Sequence, residues 1–421
     1  MRFYFPDSQD QIDPSFDFET EERSPFRIRQ RDDLYAHEIL DPVPYTGMLI
    51  SKAMVDGVAG GAGRYSAQQR QRLYRVGIRE FFRLDDAPGQ RIDTIGDCGA
   101  FTYVRDDVPP YSVDDVIDFY DGIGVDAGLS LDHVIFGFQL QPPLSDDLLP
   151  AQWRSRREQT IELAGDFLQR HRERGCTFDA VGVAQGFSPA SYAESVRQLQ
   201  ELGYERIALG GMIAAKDHEI LAALEAISAV RRPSTQLHLL GVTRCAHVLA
   251  FADLGVTSFD STSPFRQAFK DDRDNYYVTD RTFVALRVPQ VDGNMKLQRR
   301  VRAGEVDGRH ARRLEQAALT TLRAYDRGDA TIDDAVGALR AYEVVHDELR
   351  DRSASYREVL EKMPWKSCDC AVCRDVGIEV IIFRGTERNK RRGFHNLHVF
   401  AQRLARHVNA ERVPVPLLET A

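Results

Sequence analysis

Residues 178–210, FDAVGVAQGFSPASYAESVRQLQELGYERIALG, contain a complete strand–helix–strand unit. The runs Phe178–Ala184 and Arg206–Gly210 have the length and residue types of buried strands, and Pro189–Leu202 between them carries apolar residues at helical spacing. Two strands joined through a helix are typical of parallel pairing, because the helix returns the chain to the edge where the first strand began. This unit therefore predicts an α/β fold with a parallel sheet.

The same alternation continues on both sides of this unit, from residue 48 to residue 260. The further predicted strands are Met48–Val55, Arg91–Gly96, Asp132–Phe138, Gln236–Gly241 and Val256–Asp260. The further predicted helices are Gln68–Gly77, Val113–Tyr120, Trp153–Arg174, Lys216–Val230 and Cys245–Leu254. No Gly-x-Gly-x-x-Gly follows a first strand, so a (β/α)8 TIM barrel is favoured over an open doubly wound sheet.

The regions outside this alternation predict three further parts of the chain. Residues 1–46 are acidic and interrupted by proline, which favours an irregular N-terminal segment. The barrel with its catalytic site is expected to occupy residues 47–295. Residues 296–362 are charged and helical by period, with helices at Leu314–Arg327 and Ile332–Arg350, and predict a helical insertion. Residues 363–421 are expected to form a zinc-binding subdomain with a closing helix.

A metal site is predicted by Cys368-Asp-Cys370-Ala-Val-Cys373 together with a histidine further along the chain. Three thiolates and one imidazole suit tetrahedral Zn²⁺. His395 or His398 completes the set, and His395 is preferred because it starts the helix-like run 395–404. Four protein ligands leave no position for water, so this zinc is expected to be structural. The alternative is that the thiols are ordinary buried side chains.

Charge and hydropathy restrict the partners of the protein. The chain of 421 residues has a formal net charge of -9, so binding to a polyanion requires a local basic patch. One such patch is the run Arg384–Arg392 between the last thiol and His395, with an ordinary solvated loop as the alternative. No apolar run reaches the roughly 18 residues of a membrane span, and no signal sequence is recognisable at the N-terminus. Cys98, Cys176 and Cys245 are too scattered for a disulfide framework, and a soluble, cytoplasmic protein is expected.

Polar residues and glycines collect where the predicted strands end. They are Asp97, Gln185, Gly210, Gly211, Gly241 and Asp260, with Met212 and Leu240 next to the glycines. Asp132 instead opens its predicted strand. Loops at the carboxyl ends of the strands form the active site of a parallel barrel. Carboxylates and an amide among glycines suit a pocket for a flat ligand, because the backbone N–H groups are accessible there. The alternative for each aspartate is an N-cap of the next helix.

These segments resemble the tRNA-guanine transglycosylase family in matching order. The motifs that carry the resemblance are Asp97-Cys-Gly-Ala-Phe101, Val183-Ala-Gln-Gly186, Leu209-Gly-Gly-Met212, Leu239-Leu-Gly241, Gly255-Val-Thr-Ser-Phe-Asp260, and the three cysteines with His395-Asn-Leu. The family consists of zinc-bearing (β/α)8 barrels that exchange a guanine for a 7-deazaguanine base. The resemblance implies a base-exchanging pentosyltransferase.

The resemblance also implies roles for individual residues. Asp260 would be the nucleophile that attacks C1′ of the nucleoside and forms a covalent glycosyl ester. Asp97 would be the general acid and base. Asp132 would accept hydrogen bonds from N1-H and the 2-amino group of the base, which requires the predicted strand boundary at Asp132 to be displaced. The remaining substrate-binding residues would be Gln185 and the Gly211 N–H at O6, Phe101 and Leu240 on the ring faces, and the adjoining Gly210 and Met212.

Two departures from the queuosine-type pattern point to a particular branch of the family. Lys216 stands near the place where bacterial tRNA enzymes carry an acidic residue, which disfavours a cationic aminomethyl base and favours the neutral 7-cyano-7-deazaguanine (preQ0). The segment Ser261–Arg273 lacks the usual Leu-Pro-Thr-Arg. Both features resemble the DNA-modifying DpdA-type enzymes of 7-deazaguanine DNA modification, which implies DNA and possible partner proteins of such a system. The expected nucleic-acid contacts are Arg266, Lys270, Arg273, Arg388, Lys390, Arg391 and Arg392.

Three alternatives remain open at the level of sequence. The first is a tRNA-guanine transglycosylase with a divergent substrate loop, acting on tRNA. The second is a non-catalytic nucleic-acid-binding partner subunit, against which the presence of both Asp97 and Asp260 argues. The third is a zinc-stabilised barrel hydrolase that acts on a small nucleoside and needs no basic surface.

Overall fold

Eight parallel strands close into a barrel in this computed structural model, which describes residues 1–58, 61–87, 89–141, 149–270 and 274–410. The strands are β1 (Arg2–Pro6), β2 (Gly47–Ser51), β3 (Asp93–Asp97), β4 (Ala127–Leu129), β5 (Asp179–Ala184), β6 (Arg206–Leu209), β7 (Gln236–Leu239) and β8 (Val256–Asp260). The ring closes between β1 and β8, where Tyr4 lies opposite Asp260. The predicted (β/α)8 barrel is confirmed.

The α-helices follow in chain order. They are α1 (Ala36–Ile39), α2 (Lys52–Asp56), α3 (Ala67–Phe81), α4 (Val113–Ile123), α5 (Ala151–Arg174), α6 (Pro189–Leu202), α7 (Asp217–Ser228), α8 (Val248–Asp253), α9 (Ser263–Gln267), α10 (Met295–Arg302), α11 (Gly308–Arg327), α12 (Ile332–His346), α13 (Ser353–Lys362), α14 (Pro364–Ser367), α15 (Ala371–Val376) and α16 (Gly385–Ala410). Side chains at the N-caps define several helix starts. Ser112 accepts a hydrogen bond from the Asp115 N–H at 3.1 Å, and Ser188 accepts one from Ser191 at 3.2 Å.

The first strand is missing from the sequence prediction, which described residues 1–46 as irregular. Arg2–Pro6 is instead a barrel strand, paired with both β2 and β8. Its Phe3, Tyr4 and Phe5 are fully buried. A five-residue strand at the chain start has too few positions to show a period, and its ladder partners are far away in sequence. The assignment of residues 2–6 to an irregular segment was therefore wrong.

The strand predicted at Asp132–Phe138 was also wrong. The barrel strand is Ala127–Leu129, and residues 132–138 form no strand. This strand has glycine at position 128 because a Cβ there would lie 2.5 Å from the ring of Tyr120. The apolar residues after it, including Ile135, are buried in a loop and give a false strand signal. Asp132 therefore follows its strand, as the family resemblance required.

The barrel interior is filled by side chains from neighbouring strands. The cluster consists of Tyr4, Leu49, Ile95, Ala127, Leu129, Val181, Val183 and Ala208, with Leu240 packed against it. A packed interior leaves the strand ends as the place where polar side chains are accessible. Among the described residues, the barrel unit comprises 1–8, 45–262 and 404–410, apart from the gaps already given.

Residues 9–44 and 263–403 form a second compact unit. It contains the antiparallel pair β9 (Tyr276–Tyr277) and β10 (Thr282–Phe283), and the parallel pair β11 (Leu286–Arg287) and β12 (Ile382–Phe383). The predicted insertion 296–362 corresponds to α10–α13, and the predicted zinc segment begins near α14. The barrel boundary predicted at residue 295 lies too late, because the chain enters the second unit at Ser263.

Among the described residues, no helix is both long enough and apolar enough to cross a membrane.

Candidate active site and metal centre

The predicted site residues of the barrel lie together at the carboxyl ends of its strands. Asp97 is the last residue of β3 and Asp260 is the last residue of β8. Asp132 follows β4, Gln185 follows β5, and the double glycine follows β6. Parallel strands end at one edge of the barrel, so these side chains reach the same face from different strands.

Asp260 is buried and held by two hydrogen-bond donors. Its Oδ1 atom lies 3.0 Å from the backbone N of Gly241 and 3.1 Å from Nε2 of His238. On the other side of the imidazole, Nδ1 lies 2.9 Å from Oγ of Ser258. Sequence reasoning missed His238. The available signal was a histidine inside the otherwise apolar end of strand β7.

Asp132 and Gln185 form a buried, mutually oriented pair. The Gln185 side-chain amide donates to Oδ2 of Asp132 at 2.6 Å, and the Cys98 thiol donates to Oδ1 at 3.3 Å. The Gln185 carbonyl oxygen accepts from the backbone N–H of Ile135 at 3.2 Å, which fixes the orientation of its amide group. The pair thus offers fixed acceptors and a fixed donor to a ligand edge.

Burial raises the pKa of Asp132 and that of the neighbouring Asp97. The pKa of Asp97 rises to about 7, first because of desolvation and then because of the nearby charges of Asp132 and Asp260. Hydrogen bonds from the Gly99 N–H and the Ser51 hydroxyl oppose this increase. The pKa of Asp132 rises to about 6 through desolvation, against hydrogen bonds from Gln185 and Cys98. A carboxyl group with a pKa near neutrality can both donate and accept a proton.

The double glycine lies where no side chain fits. A Cβ on Gly210 would lie 2.1 Å from Nε2 of Gln185. Gly211 has a φ of +75°, and a Cβ there would lie 2.5 Å from the carbonyl oxygen of Ile135. Glycine is therefore required at both positions. Met212, predicted to bind substrate, is fully buried.

Exposed apolar side chains lie near the same strand ends. The rings of Phe101 and Phe136 have centroids 5.3 Å apart, and both side chains are more than 40% exposed, at 49% and 43%. Leu240 is partly buried against the barrel interior. Lys216 is exposed and its backbone N–H donates to the Glu219 carboxylate at the start of α7. Phe136 was not predicted, because its segment was interpreted as a strand.

The four predicted metal ligands lie together in the second unit. One ligand atom from each of Cys368, Cys370, Cys373 and His395 lies within 4.8 Å of all the others. The alternative ligand His398 instead pairs with Asp369 at 3.3 Å. His395 lies inside α16 and does not start a helix as predicted, since that helix begins at Gly385.

The surroundings of His395 prepare one ring nitrogen for a metal. Its Nδ1 atom lies 3.3 Å from the sulfur of Cys373, while Nε2 lies 2.7 Å from the carbonyl oxygen of Tyr277. A carbonyl only accepts hydrogen bonds, so Nε2 carries the proton and Nδ1 has a free lone pair. The Tyr276 ring stacks on the imidazole at 4.1 Å. The site therefore fits a tetrahedral metal ion, and three sulfurs with one nitrogen match zinc.

The basic run before His395 is buried and internally paired. Arg388, Arg391 and Arg392 are all at most 3% exposed. They lie in α16, which begins at Gly385, and not in the exposed loop that was predicted. A buried guanidinium group is not accessible to a phosphate. The prediction that these three residues contact nucleic acid was therefore wrong.

The partners of these guanidinium groups come from their own unit. Arg388 pairs with Glu379 and with Glu21, each at 2.6 Å, and Arg391 pairs with Glu387 at 2.9 Å. Lys390, which is only partly exposed, donates to the carbonyl oxygen of Gln11. The expected nucleic-acid contact through Lys390 has no support from this arrangement.

The other predicted nucleic-acid contacts differ in their surroundings. Arg266 and Lys270 are exposed, the first in α9 and the second shortly after it. Arg273 lies outside the described residues. The exposed pair stays a prediction.

Comparison with known proteins gives two findings. The family described as queuine tRNA-ribosyltransferase matches residues 110–408 of the chain. A protein of Salmonella montevideo named DNA-guanine transglycosylase is 46% identical over 408 residues, which cover 96% of this chain and 96% of that protein.

Proposed function

The chain belongs to the queuine tRNA-ribosyltransferase family and is a pentosyltransferase, and on this premise we propose that it exchanges guanine in DNA for a 7-deazaguanine base. The incoming base is 7-cyano-7-deazaguanine. The observation that carries the proposal is that two carboxyl groups end strands of the same barrel: Asp260, buried and held from one side by two donors, and Asp97, whose pKa is raised to about 7.

In the first half of the reaction a carboxylate oxygen of Asp260 attacks C1′ of the target nucleotide. The C1′–N9 bond breaks, its electron pair leaves with guanine, and protonated Asp97 supplies a proton to the departing base. The product is a glycosyl ester between Asp260 and the sugar. Splitting one displacement into two lowers each barrier, as in retaining glycosidases.

In the second half the incoming base reverses these events. Ionised Asp97 takes the N9 proton, and N9 attacks C1′ while the ester bond breaks and returns its electron pair to Asp260. Asp97 thus ends the cycle protonated, as it began. A pKa of about 7 allows the same group to serve both steps at neutral pH.

Base recognition uses the buried pair at the ends of β4 and β5. Asp132 accepts from N1-H and the 2-amino group, and Gln185 with the Gly211 N–H binds O6. Phe101 and Leu240 cover the ring faces, and the exposed Phe136 beside Phe101 extends the aromatic surface. Guanine and 7-deazaguanine share this edge, so both bases fit the same pocket. Lys216, exposed at the start of α7, disfavours a cationic 7-substituent.

DNA is favoured over tRNA by two observations. The relative that matches 96% of the chain is named for DNA. The chain also lacks Leu-Pro-Thr-Arg after Asp260, where it has Ser261-Thr-Ser-Pro. A base stacked in a duplex cannot present C1′ to a carboxylate at the end of a barrel strand. The target nucleotide must therefore leave the stack, at a cost of a few kcal/mol.

Zinc is the metal proposed for the cluster of Cys368, Cys370, Cys373 and His395. Four protein ligands leave no open coordination position, so the ion supplies structure to the second unit and takes no part in the exchange. The proton on Nε2 of His395, held by the Tyr277 carbonyl, keeps the ligating nitrogen oriented toward the thiolates.

The proposal is tested by incubating the protein and labelled 7-cyano-7-deazaguanine with duplex DNA, with opened DNA and with tRNA. Label is expected in DNA and not in tRNA. Wild type should give a covalent protein–DNA adduct that maps to Asp260, and Asp260→Asn should give neither adduct nor exchange while still binding DNA. Exclusive labelling of tRNA, or an adduct at Asp97, would overturn the substrate or the assignment of roles, respectively. If free nucleosides were cleaved instead, the protein would be a hydrolase.

A further inference from the structure

We propose that His238 is a positioning residue for the nucleophile, which holds Oδ1 of Asp260 so that Oδ2 is the atom that bonds to C1′. The inference rests on the proposed role of Asp260. Its basis is a buried chain of three side chains, Ser258, His238 and Asp260, that runs across strands β7 and β8.

The backbone register brings these three side chains together. His238 lies opposite Ser258 in the parallel pair of β7 and β8. Ser258 and Asp260 are two residues apart in β8, and their side chains therefore project on the same side of that strand. All three are buried, with exposures of 5%, 2% and 6% for His238, Ser258 and Asp260. The imidazole thus lies between a hydroxyl and a carboxylate in a place with little access for water.

Hydrogen-bond chemistry determines which nitrogen carries the proton. An ionised carboxylate only accepts, so the contact of 3.1 Å between His238 Nε2 and Asp260 Oδ1 requires the proton on Nε2. In the neutral ring Nδ1 then accepts, and the Ser258 hydroxyl donates to it at 2.9 Å. The carboxylate therefore sets the tautomer, and the Ser258 hydroxyl, which can donate as well as accept, satisfies the remaining nitrogen.

Packing keeps the ring in this orientation. The rings of Tyr4 and His238 meet edge to face, with centroids 5.7 Å apart and an interplanar angle of 74°. Tyr4 comes from β1, on the other side of β8 from β7. The imidazole is thus confined by a ring as well as by its two hydrogen bonds.

The two oxygens of Asp260 are not equivalent. Oδ1 receives hydrogen bonds from the His238 Nε2–H and from the Gly241 N–H at 3.0 Å. No described residue donates a hydrogen bond to Oδ2. Two donors on Oδ1 draw electron density toward that oxygen and fix the plane of the carboxylate, so the free lone pairs of Oδ2 are the nucleophile.

This arrangement serves both half-reactions without moving a proton on His238. When Oδ2 bonds to C1′, the C1′–N9 electron pair leaves with guanine, and Oδ1 becomes the carbonyl oxygen of the ester while keeping both donors. When the incoming base displaces the ester, the C1′–Oδ2 electron pair returns to Asp260. The same donors stabilise the Asp260 carboxylate as it leaves C1′, which makes this carboxylate a better leaving group.

The test compares three substitutions of His238 in the full-length protein. His238→Leu removes both hydrogen bonds. His238→Gln keeps an N–H donor at the reach of Nε2, whereas His238→Asn keeps a polar group only at the reach of Nδ1, toward Ser258. For each variant the measurements are the single-turnover rate of adduct formation with opened DNA, and the dissociation constants for DNA and for 7-cyano-7-deazaguanine.

The Leu and Asn variants should form the adduct roughly ten- to a hundredfold more slowly than wild type, because the plane of the Asp260 carboxylate is no longer fixed toward C1′. The Gln variant should recover most of this loss, and both dissociation constants should stay within about twofold in all three. Ser258→Ala, which leaves Nδ1 without its donor, should slow adduct formation by a smaller factor.

A wild-type rate in His238→Leu, or equal rates in the Gln and Asn variants, would overturn the positioning role. If the Leu variant does not fold, as judged by its melting temperature and bound metal, the Gln–Asn comparison and Ser258→Ala decide in its place. An adduct that still forms in Asp260→Asn would instead reject the proposed nucleophile, and that outcome is separate from any result at His238.

Discussion

The raised pKa values of Asp97 and Asp132 result from the surroundings of the two carboxyl groups. Asp97 is partly buried at the end of β3 and Asp132 is buried after β4, and desolvation is the largest cause of the raised pKa in each case. The charge of Asp132 also raises the pKa of Asp97. Groups that share a site in this way are suited to moving a proton near neutral pH.

The first prediction is a pH profile with opposite limbs for the two half-reactions. Guanine departure needs protonated Asp97, so its rate should fall as the pH rises above about 7. Capture of the incoming base needs ionised Asp97, so its rate should fall as the pH drops below about 7. Single-turnover release and capture of labelled bases measure the limbs separately.

Asp132→Asn supplies the control for that assignment. Removing the neighbouring charge should lower the pKa of Asp97 and move both limbs to lower pH. Limbs that stay in place in Asp132→Asn, or that remain in Asp97→Asn, would show that another group is titrating.

The second prediction concerns base affinity. Asp132→Asn replaces two carboxylate acceptors with one carbonyl oxygen and one NH₂ group. The NH₂ group cannot accept a hydrogen bond from the donor that it faces, either Gln185 or Cys98, so one contact in the pocket is lost. Losing a charge-assisted hydrogen bond costs about 1.5 to 3 kcal/mol, or roughly ten- to a hundredfold in the dissociation constant of the base. Calorimetry measures this constant, and Asp253→Asn on the exposed end of α8 is the matched control. Unchanged affinity would show that Asp132 does not contact the base.

At the scale of the element, helix α16 has the unusual property of burying the basic residues of its first turns. Arg388 is 1% exposed and binds two carboxylates, those of Glu21 and Glu379. The ring of Phe18 lies under its guanidinium, 5.1 Å from the centroid. Glu21 and Phe18 belong to the N-terminal segment 9–44, which therefore completes the second unit through buried ion pairs. Such pairs are costly to break, because each contains hydrogen bonds between charged groups that are shielded from water.

The third prediction tests these ion pairs. Arg388→Met keeps the apolar stem and removes the cation that Glu21 and Glu379 share, although Glu21 keeps Arg384 and Glu379 keeps Arg323 as partners. The free energy of unfolding should fall by about 1.5 to 3 kcal/mol, the range for losing hydrogen bonds to charged groups. Urea denaturation measures this change, with Arg374→Met, at an exposed arginine of α15, as the control. Equal midpoints for the two variants would show that the pairs add little stability.

The fourth prediction concerns the metal. Because binding of a structural metal contributes directly to folding, Cys370→Ala should lower the melting temperature and abolish stoichiometric zinc. Cys176→Ala, at a cysteine far from the cluster in sequence, should change neither. Elemental analysis and thermal denaturation with and without a chelator are the measurements. A metal-free protein that melts like the wild type would exclude a structural zinc site.

At the scale of the whole molecule, the charge distribution limits how the protein holds a polyanion. The chain carries 55 basic and 64 acidic residues, and the buried basic residues of α16 are consumed by internal pairs. Contacts to phosphate must come from exposed cations. Arg266 and Lys270 are exposed and follow the nucleophile closely in sequence, which keeps them as the leading candidates.

The fifth prediction follows from counterion release. Each phosphate contact contributes close to one unit to the slope of log affinity against log salt, so Arg266→Gln and Lys270→Gln should each reduce the slope by about 1. Arg172→Gln is the matched control, because this exposed residue lies in the last turn of α5, and crossover helices end at the barrel face opposite the strand ends. A slope that changes equally in all three variants would reject the assignment.

The sequence by itself determined the features that depend on local pattern. Alternating strand and helix periods predicted the barrel, because each crossover unit is encoded within about 30 consecutive residues. Helix α6 and strand β8 have the predicted limits, Pro189–Leu202 and Val256–Asp260. The cysteine spacing predicted the four-residue cluster, since metal ligands must be close in the fold and three of them are close in the chain.

Only the tertiary structure decided the features that depend on distant neighbours. β1 exists because β2 and β8 supply its hydrogen bonds, and β4 needs glycine at position 128 because the ring of Tyr120 leaves no room for a side chain there. Arg388 is buried because Glu21, far away in sequence, neutralises it. The run of basic residues in the sequence therefore does not form a basic surface. His238 reaches Asp260 only through the register of two strands. The burial of a side chain, the pairing of strands and the tautomer of a histidine depend on contacts between distant segments. A local sequence pattern therefore cannot predict them.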